Sequence, residues 1–182
     1  MYMPLFLHNA LPTLLVFGLS SPAPAPRTPT QRWLDDPTAL ATFEALVTYD
    51  IETAGIAAKK SPKSDIRELA SGFEQGHRGL LKQTQDLAKK LNLTPTPPKE
   101  APLGQAHADA LRKLKATTGE KFDRVFLANE VAYHDGAIKI LNETLLPAIK
   151  NPELKAAVTA AVPAFQAHLA ASQKAAAKYH VM

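Results

Sequence analysis

Residues 61–91 have the sequence SPKSDIRELASGFEQGHRGLLKQTQDLAKKL, and this stretch decides the fold. One stripe of apolar or small side chains and a histidine recurs in it at spacings of three and four residues: Ile66, Ala70, Phe73, His77, Leu80, Thr84, Leu87 and Leu91. This spacing places the whole set on one face of an α-helix. Ser61–Pro62 resembles a helix N-terminus, because a capping residue is followed there by proline at the first helical position. The stretch therefore predicts one long amphipathic helix.

Three other stretches show the same periodicity. A helix is predicted to begin at Asp36–Pro37 and to end near Lys60, with Leu40 and Ile51 among its inward residues. A third long helix is predicted from about Glu120 to Lys150. The last long helix is predicted to begin at Asn151–Pro152, with a kink at Pro163. The sequence thus predicts four long helices.

The connections between these helices predict how they are arranged. Short turns near residues 61 and 151 make two antiparallel hairpins, whereas the proline-rich residues 95–102 and a short amphipathic helix at residues 103–117 join the hairpins, with Gly119 as a break. The predicted fold is all-α: an antiparallel four-helix bundle, ferritin-like, with one long crossover that contains a short extra helix. The composition agrees, because 46% of the residues are hydrophobic and only 8 are glycines.

The N-terminal part of the chain is predicted to lie outside this bundle. Residues 1–25 are predicted to be a signal peptide or an uncleaved membrane anchor, because residues 3–19 are largely apolar and Ala23-Pro24-Ala25 resembles a cleavage site. Residues 26–35 form a proline-rich linker and residues 36–182 the bundle domain. The predicted location is periplasmic or extracytoplasmic, anchored through residues 3–19 if the leader is retained. Arg27 and Arg32 point the other way, since positive charges after such a segment favour a cytoplasmic body.

Charge and residue types exclude several functions. The 21 Lys+Arg and 17 Asp+Glu residues give a net charge of +4, and no basic run is interleaved with aromatic residues, so a nucleic-acid partner is not expected. The chain has no cysteine, which excludes disulfides, thiolate metal sites, a cysteine nucleophile and a lipoprotein anchor. No Gly-rich phosphate loop or nucleophile elbow is present. An enzymatic role is therefore uncertain and is disfavoured.

The histidines are the most informative polar residues. His77, His134 and His168 fall on the inward stripes of three different helices. His134 and His168 lie about equally far from the Asn151 turn, so they are predicted to face each other. The pattern fits a site for one transition metal ion (zinc, copper or iron), a structural hydrogen-bond cluster, or metal-free catalysis by histidine. The other histidines are predicted to be solvated: His8, His107 and His180.

Carboxylates would complete a metal site, and the sequence offers four of them: Glu44, Glu52, Glu74 and Glu130. Glu74-x-x-His77 has the spacing used by di-iron bundles. A second copy of that motif would need a glutamate at position 165, which is Phe165 here. A mononuclear, histidine-rich site is therefore favoured over a di-iron centre. Counting outward from the Ser61 turn places Glu44 level with His77.

An ordered set of residues resembles a known family. The set comprises Phe43, Asp50-Ile51-Glu52, His77 with Leu80 and Leu87, Phe122-Asp123 and Phe126-Leu127 ahead of His134, and Pro163-x-x-x-x-His168-Leu169. In this order it resembles the domain-of-unknown-function 4142 family, whose members are exported bacterial proteins of ferritin-like fold. The resemblance implies Glu52, His77, His134 and His168 as the polar core positions, and the same four residues are the predicted metal ligands. It also implies an aspartate just before the second-helix histidine, where this chain has Gly76.

Two functions follow from these patterns. The first is a non-catalytic extracytoplasmic helical bundle that serves as an accessory or structural subunit of a membrane or a membrane protein complex, for example a photosynthetic or respiratory assembly. The alternative is a ferritin-like metal-binding protein with a histidine-rich site in the bundle core. An oxidase with two irons is disfavoured by Phe165.

Overall fold

The computed structural model describes residues 34–98 and 102–181, and this part of the chain is helical without any strand. The elements in chain order are α1 (Asp36–Lys60), α2 (Ser64–Lys90), α3 (Pro102–Ala116), α4 (Gly119–Lys139), a π-helical segment (Ile140–Leu145), α5 (Leu146–Ala148) and α6 (Pro152–Lys178). The predicted leader, residues 1–25, lies outside the described residues, as does the linker as far as residue 33. Within the described ranges, none of the helices has the length and apolarity needed to cross a membrane.

The beginning of α1 agrees with the sequence to within one residue. Asp35 is the capping residue, and its side chain accepts a hydrogen bond of 2.9 Å from the backbone N–H of Thr38. Asp36 instead accepts hydrogen bonds from the backbone N–H groups of Lys150, at 2.7 Å, and Asn151, at 2.9 Å. The start of α1 is thereby joined to the start of α6, where Asn151 caps the helix as predicted.

The predicted start of α2 at Ser61–Pro62 is wrong, because α2 begins at Ser64. Ser61 ends α1, and its buried hydroxyl donates a 2.6 Å hydrogen bond to Oδ1 of Asp123 on α4. The same hydroxyl oxygen accepts a 3.2 Å hydrogen bond from the backbone N–H of Lys63, which precedes α2. Ser61 therefore stabilises the turn between α1 and α2 and links it to α4, and it does not cap α2.

The third long helix is not the single α-helix that the sequence predicts. Gly119 has a φ of +61°, a left-handed conformation that suits glycine, and the predicted break between α3 and α4 is confirmed there. The backbone then widens to a π-helix at Ile140–Leu145 before α5 completes the run. Pro147 in α5 has no N–H to donate, so the regular α-helical ladder cannot continue through it.

The buried apolar residues form two groups along the helices. The first group includes Leu40 of α1 and Phe165 of α6, and the second includes Phe73 of α2 and Phe126 of α4. On each of these four helices a polar residue is buried between the two groups. These residues form a polar layer, which comprises Asp50, His77, Glu130 with His134, and Ser172. The candidate site lies at this polar layer.

Candidate metal centre

Four helices each supply one side chain to a compact cluster of histidine and aspartate. The residues are Asp50 of α1, His77 of α2, His134 of α4 and His168 of α6, and one ligand atom from each lies within 4.8 Å of the other three. Asp50, His77 and His134 are buried, whereas His168 is half-buried. The sequence-based prediction that His134 faces His168 is confirmed, since their ring centroids are 5.3 Å apart.

The distances between the ligand atoms suit a small metal ion. Nε2 of His77 lies 2.8 Å from Oδ2 of Asp50, and Nε2 of His134 lies 3.7 Å from the same oxygen. Nδ1 of His168 lies 3.1 Å from Nε2 of His77. Four ligands at tetrahedral positions around zinc, with bonds of about 2.0–2.1 Å, would be separated by about 3.4 Å. The three measured distances fall on both sides of this value.

The hydrogen bonding of His134 prepares it as a ligand. Its Nδ1 lies 3.0 Å from the backbone carbonyl oxygen of Glu130 and, because that oxygen can only accept, the ring N–H is on Nδ1. Nε2 therefore carries the free lone pair in the neutral ring, and this buried atom has no hydrogen-bond partner. A histidine held through one nitrogen with the other free is the usual arrangement of a metal-binding histidine.

Asp50 is a buried carboxylate whose two oxygens lack hydrogen-bond partners. The 2.8 Å contact with His77 therefore brings the two atoms together without the alignment of a hydrogen bond. Burial raises the pKa of Asp50, but the contact with His77 and the proximity of His134 outweigh burial and hold this pKa below its usual range. Asp50 is thus an anion, and a buried anion requires a cation nearby.

The imidazole rings of His134 and His168 are neutral at pH 7. Burial lowers the pKa of His134, an effect that the charge of Asp50 only partly offsets. Burial, followed by the proximity of His77 and His134, lowers the pKa of His168 to about 4. Neutral imidazole is the form that binds metals, so neither ring has to lose a proton before it can act as a ligand.

A second buried acid lies beside the cluster. Oε1 of Glu130 accepts hydrogen bonds of 3.3 Å from the hydroxyl of Thr53 and from the amide of Asn129. Burial, and then the negative charge of Asp50, raise the pKa of Glu130 well above its usual value. Glu130 is therefore protonated more readily than an exposed glutamate, and Asp50 is the acid of the pair whose ionised form is favoured.

Aromatic rings close the cluster on two sides. The ring of Phe73 stacks on His168 with centroids 4.1 Å apart, and Phe165 meets His77 edge to face at 4.9 Å. Phe165 occupies the position at which a second copy of the Glu-x-x-His motif of di-iron bundles would need a glutamate. Its contact with His77 makes this side of the site apolar, so the described residues supply a single set of ligands.

Glu52 is not part of the cluster, which corrects its predicted role as the fourth ligand. Its carboxylate is 50% exposed and lies 2.5 Å from Nε2 of His107 on α3. Glu52 and Asp50 are two positions apart, or about 200° around a helix, and therefore point to opposite sides. Asp50 takes the inward position that was assigned to Glu52.

The other predicted carboxylates and histidines are also placed differently. Glu74 pairs with Arg78 at 2.7 Å, and Glu44 is a half-buried side chain outside the cluster. His107 was predicted to be solvated, but it is only 10% exposed and stacks on Tyr49 with centroids 4.1 Å apart. The short helix α3 thus packs against α1 through this histidine.

The sequence contained a signal for the residue that was missed. Asp50 lies three residues after Val47 and four before Ala54, so it shares their inward stripe. An ionisable residue on such a stripe is unusual, because a charged side chain is rarely buried unless it is paired or binds a metal. This spacing distinguishes Asp50 from Glu52.

The described residues form an all-helical fold with a largely buried cluster of three histidines and one aspartate. The chain belongs to the family described as domain of unknown function DUF4142, whose pattern matches residues 20–175. It is also similar in structure to a DUF305 fragment from Deinococcus radiodurans, with a TM-score of 0.69, 16% sequence identity, and coverage of 85% of this chain and 99% of that chain. At this identity the likeness concerns the fold alone. A comparison with curated proteins found no match.

Proposed function

We propose that this protein binds one transition metal ion through Asp50, His77, His134 and His168. The observation that supports the proposal is the convergence of four ligand atoms from four helices. Two of these atoms, Oδ2 of Asp50 and Nε2 of His134, are buried and have no hydrogen-bond partner. Three imidazoles and one carboxylate suit zinc, copper or iron. Zinc is favoured, because its common ligand geometry is tetrahedral and its ligands include histidine and aspartate.

The proposed role of the metal is non-catalytic. Catalytic zinc sites keep one coordination position for water or substrate, whereas structural sites are closed by four protein ligands. The four ligand atoms here come from four side chains, so a tetrahedral ion would be fully coordinated by the protein. The function proposed is therefore metal binding or metal carriage.

We also propose that α1, α2, α4 and α6 form an antiparallel four-helix bundle of ferritin-like type. The connection at residues 61–63 is short enough to make α1 and α2 an antiparallel pair. The order of the two apolar groups along the helices supports the same arrangement, since α1 and α6 start in one group whereas α2 and α4 start in the other. The longer connection through α3 would be the single crossover.

The experiment begins with elemental analysis of protein purified without added metal, followed by titration with Zn²⁺, Cu²⁺ and Fe²⁺. We expect about one equivalent of metal per chain, as for a site with four protein ligands. His134→Ala should abolish this binding. His107→Ala is the matched control, because it removes a packed histidine outside the cluster and should leave the stoichiometry unchanged. Equal metal binding by wild type and His134→Ala would refute the proposal.

The accessory role in a membrane or a membrane complex stays a prediction of the sequence. It depends on residues 3–19, which lie outside the described residues. Its test is purification from native membranes, with the N-terminus determined by mass spectrometry and the accompanying polypeptides identified. A chain that begins after the leader and purifies alone would contradict the role.

A further inference from the structure

A cleft between α2 and α6 leads to the histidine cluster. Its volume is about 440 Å³, and His77 and His168 are among the residues that line it. Small residues line its walls, including Gly76 on α2 and Ala164 on α6. These two residues are exposed, so the cleft joins the surface to two of the proposed ligands.

Gly76 keeps one edge of His168 accessible. A Cβ atom built on Gly76 would lie 3.8 Å from both Cε1 and Nε2 of His168. This is ordinary van der Waals contact, so a side chain of any size at this position would lie over the imidazole. Nδ1 of His168, the proposed ligand atom, is on the cluster side of the ring, 3.1 Å from His77. The ring therefore separates the metal position from the cleft.

The other three ligands are more deeply buried. Asp50 and His134 have 0% side-chain exposure, and His77, which also lines the cleft, is 1% exposed and lies against the ring of Phe165. His168 is the one half-buried member of the cluster. Of the four ligands, His168 therefore has to move least to admit a hydrated cation. The same holds for a donor that removes the bound ion.

We propose that the metal is loaded and released through the cleft at Gly76, with His168 as the ligand that exchanges. The inference depends on the proposed metal site and goes further, because it makes the ion an exchangeable cargo. In the exchange step, the bond between the metal and Nδ1 of His168 breaks as a bond forms to a nitrogen or oxygen donor in the cleft. No electron is transferred, and with a neutral donor the charge of the complex is unchanged.

The test measures the rate at which zinc-loaded protein transfers Zn²⁺ to an excess of a coloured chelator, and the rate of reloading. Gly76→Leu and Ala164→Leu narrow the cleft from opposite walls. Gly72→Leu is the matched control, since it adds the same side chain to an exposed glycine of α2 that does not line the cleft. We expect both cleft variants to keep the wild-type stoichiometry and to exchange about tenfold or more slowly, equivalent to about 1.4 kcal/mol in the barrier. Gly72→Leu should exchange at the wild-type rate.

Free imidazole provides a second measurement on the same samples. It should accelerate release from wild type, because its nitrogen can replace His168, and should accelerate release from Gly76→Leu much less. If Gly76→Leu does not bind metal, the zinc-exchange rate of Ala164→Leu is compared with that of wild type instead. Zinc-loaded variants that exchange as fast as wild type would overturn the cleft route and leave the metal site intact. A wild-type chain that binds no metal would overturn the metal site itself.

Discussion

Replacing Asp50 by asparagine separates a metal site from a structural ion pair. Asp50→Asn keeps the size of the side chain and removes its charge. In metal-free protein, the oxygens of Asp50 lack hydrogen bonds of regular geometry, although Oδ2 lies 2.8 Å from Nε2 of His77, so the substitution removes a buried charge that is only partly satisfied. The cost of burying such a group, about 1–3 kcal/mol and more when it is charged, offsets most of what the contact with His77 contributes. We therefore expect the free energy of unfolding of the metal-free variant to be within about 1 kcal/mol of wild type.

The metal-loaded proteins should behave differently. At a free metal concentration of about 100 times Kd, wild type gains about 2.7 kcal/mol. For a chain of this size that gain raises the unfolding midpoint by about 5–10 °C. A neutral amide is a poorer ligand than a carboxylate, and an affinity that is about a hundredfold weaker leaves a gain of only about 0.4 kcal/mol at the same metal concentration.

Thermal and urea unfolding, each with chelator and with zinc, provide the assay. Asp135→Asn is the matched control, because Asp135 is an exposed residue of α4 that pairs with Lys139. If Asp50 and His77 instead form an ion pair that stabilises the fold, Asp50→Asn should lose about 3–5 kcal/mol in chelator, since breaking a buried pair strands one partner. That loss, together with equal midpoints in zinc and chelator for wild type, would refute the metal site.

The remaining predictions concern the framework around the site. Lys60→Met removes two 2.8 Å hydrogen bonds from Nζ to carbonyls at the end of α3 and should cost about 1–2 kcal/mol, with faster amide hydrogen exchange confined to α3. Phe126→Ala deletes a fully buried ring and should cost about 3–5 kcal/mol in urea unfolding. Hydrogen bonds from Lys178 and Tyr179 hold the pKa of Asp65 at about 2, below its model-compound value of 3.8. Their stabilisation is therefore present above pH 3.8 and lost as the pH falls towards 2, and Asp65→Asn should remove this part of the acid-unfolding profile.

The helices could be predicted from the sequence because their periodicity is long and regular. The stripe through His77 needed no tertiary information, and three of the four cluster residues followed from it and its counterparts. The start of α2 could not be predicted, because the conformation of the turn before it depends on a hydrogen bond from Ser61 to Asp123, which is 62 positions away in the chain. A local capping pattern contains no information about such a partner.

The fourth ligand was misassigned for a geometric reason. Asp50 and Glu52 belong to the same short motif, and the family resemblance implied Glu52, which the structure places on the outer side of α1. Which of the two side chains faces the cluster depends on the rotation of α1 about its axis. This rotation is set by the packing of α1 and by the contact between Glu52 and His107 on α3. The acid on the apolar stripe was the better choice, because helical phase is more informative than motif position.

The polar layer between the two apolar groups also affects how the helices can align. Apolar side chains of similar size tolerate sliding, so a core made of them alone would allow neighbouring helices to shift by one turn, about 5.4 Å. Such a shift would move Asp50 away from the histidines and against leucine or phenylalanine, where its charge would have no partner. A single buried polar position can fix the register of packed helices in this way. The cluster therefore favours the observed alignment of the four helices over alignments shifted by one turn.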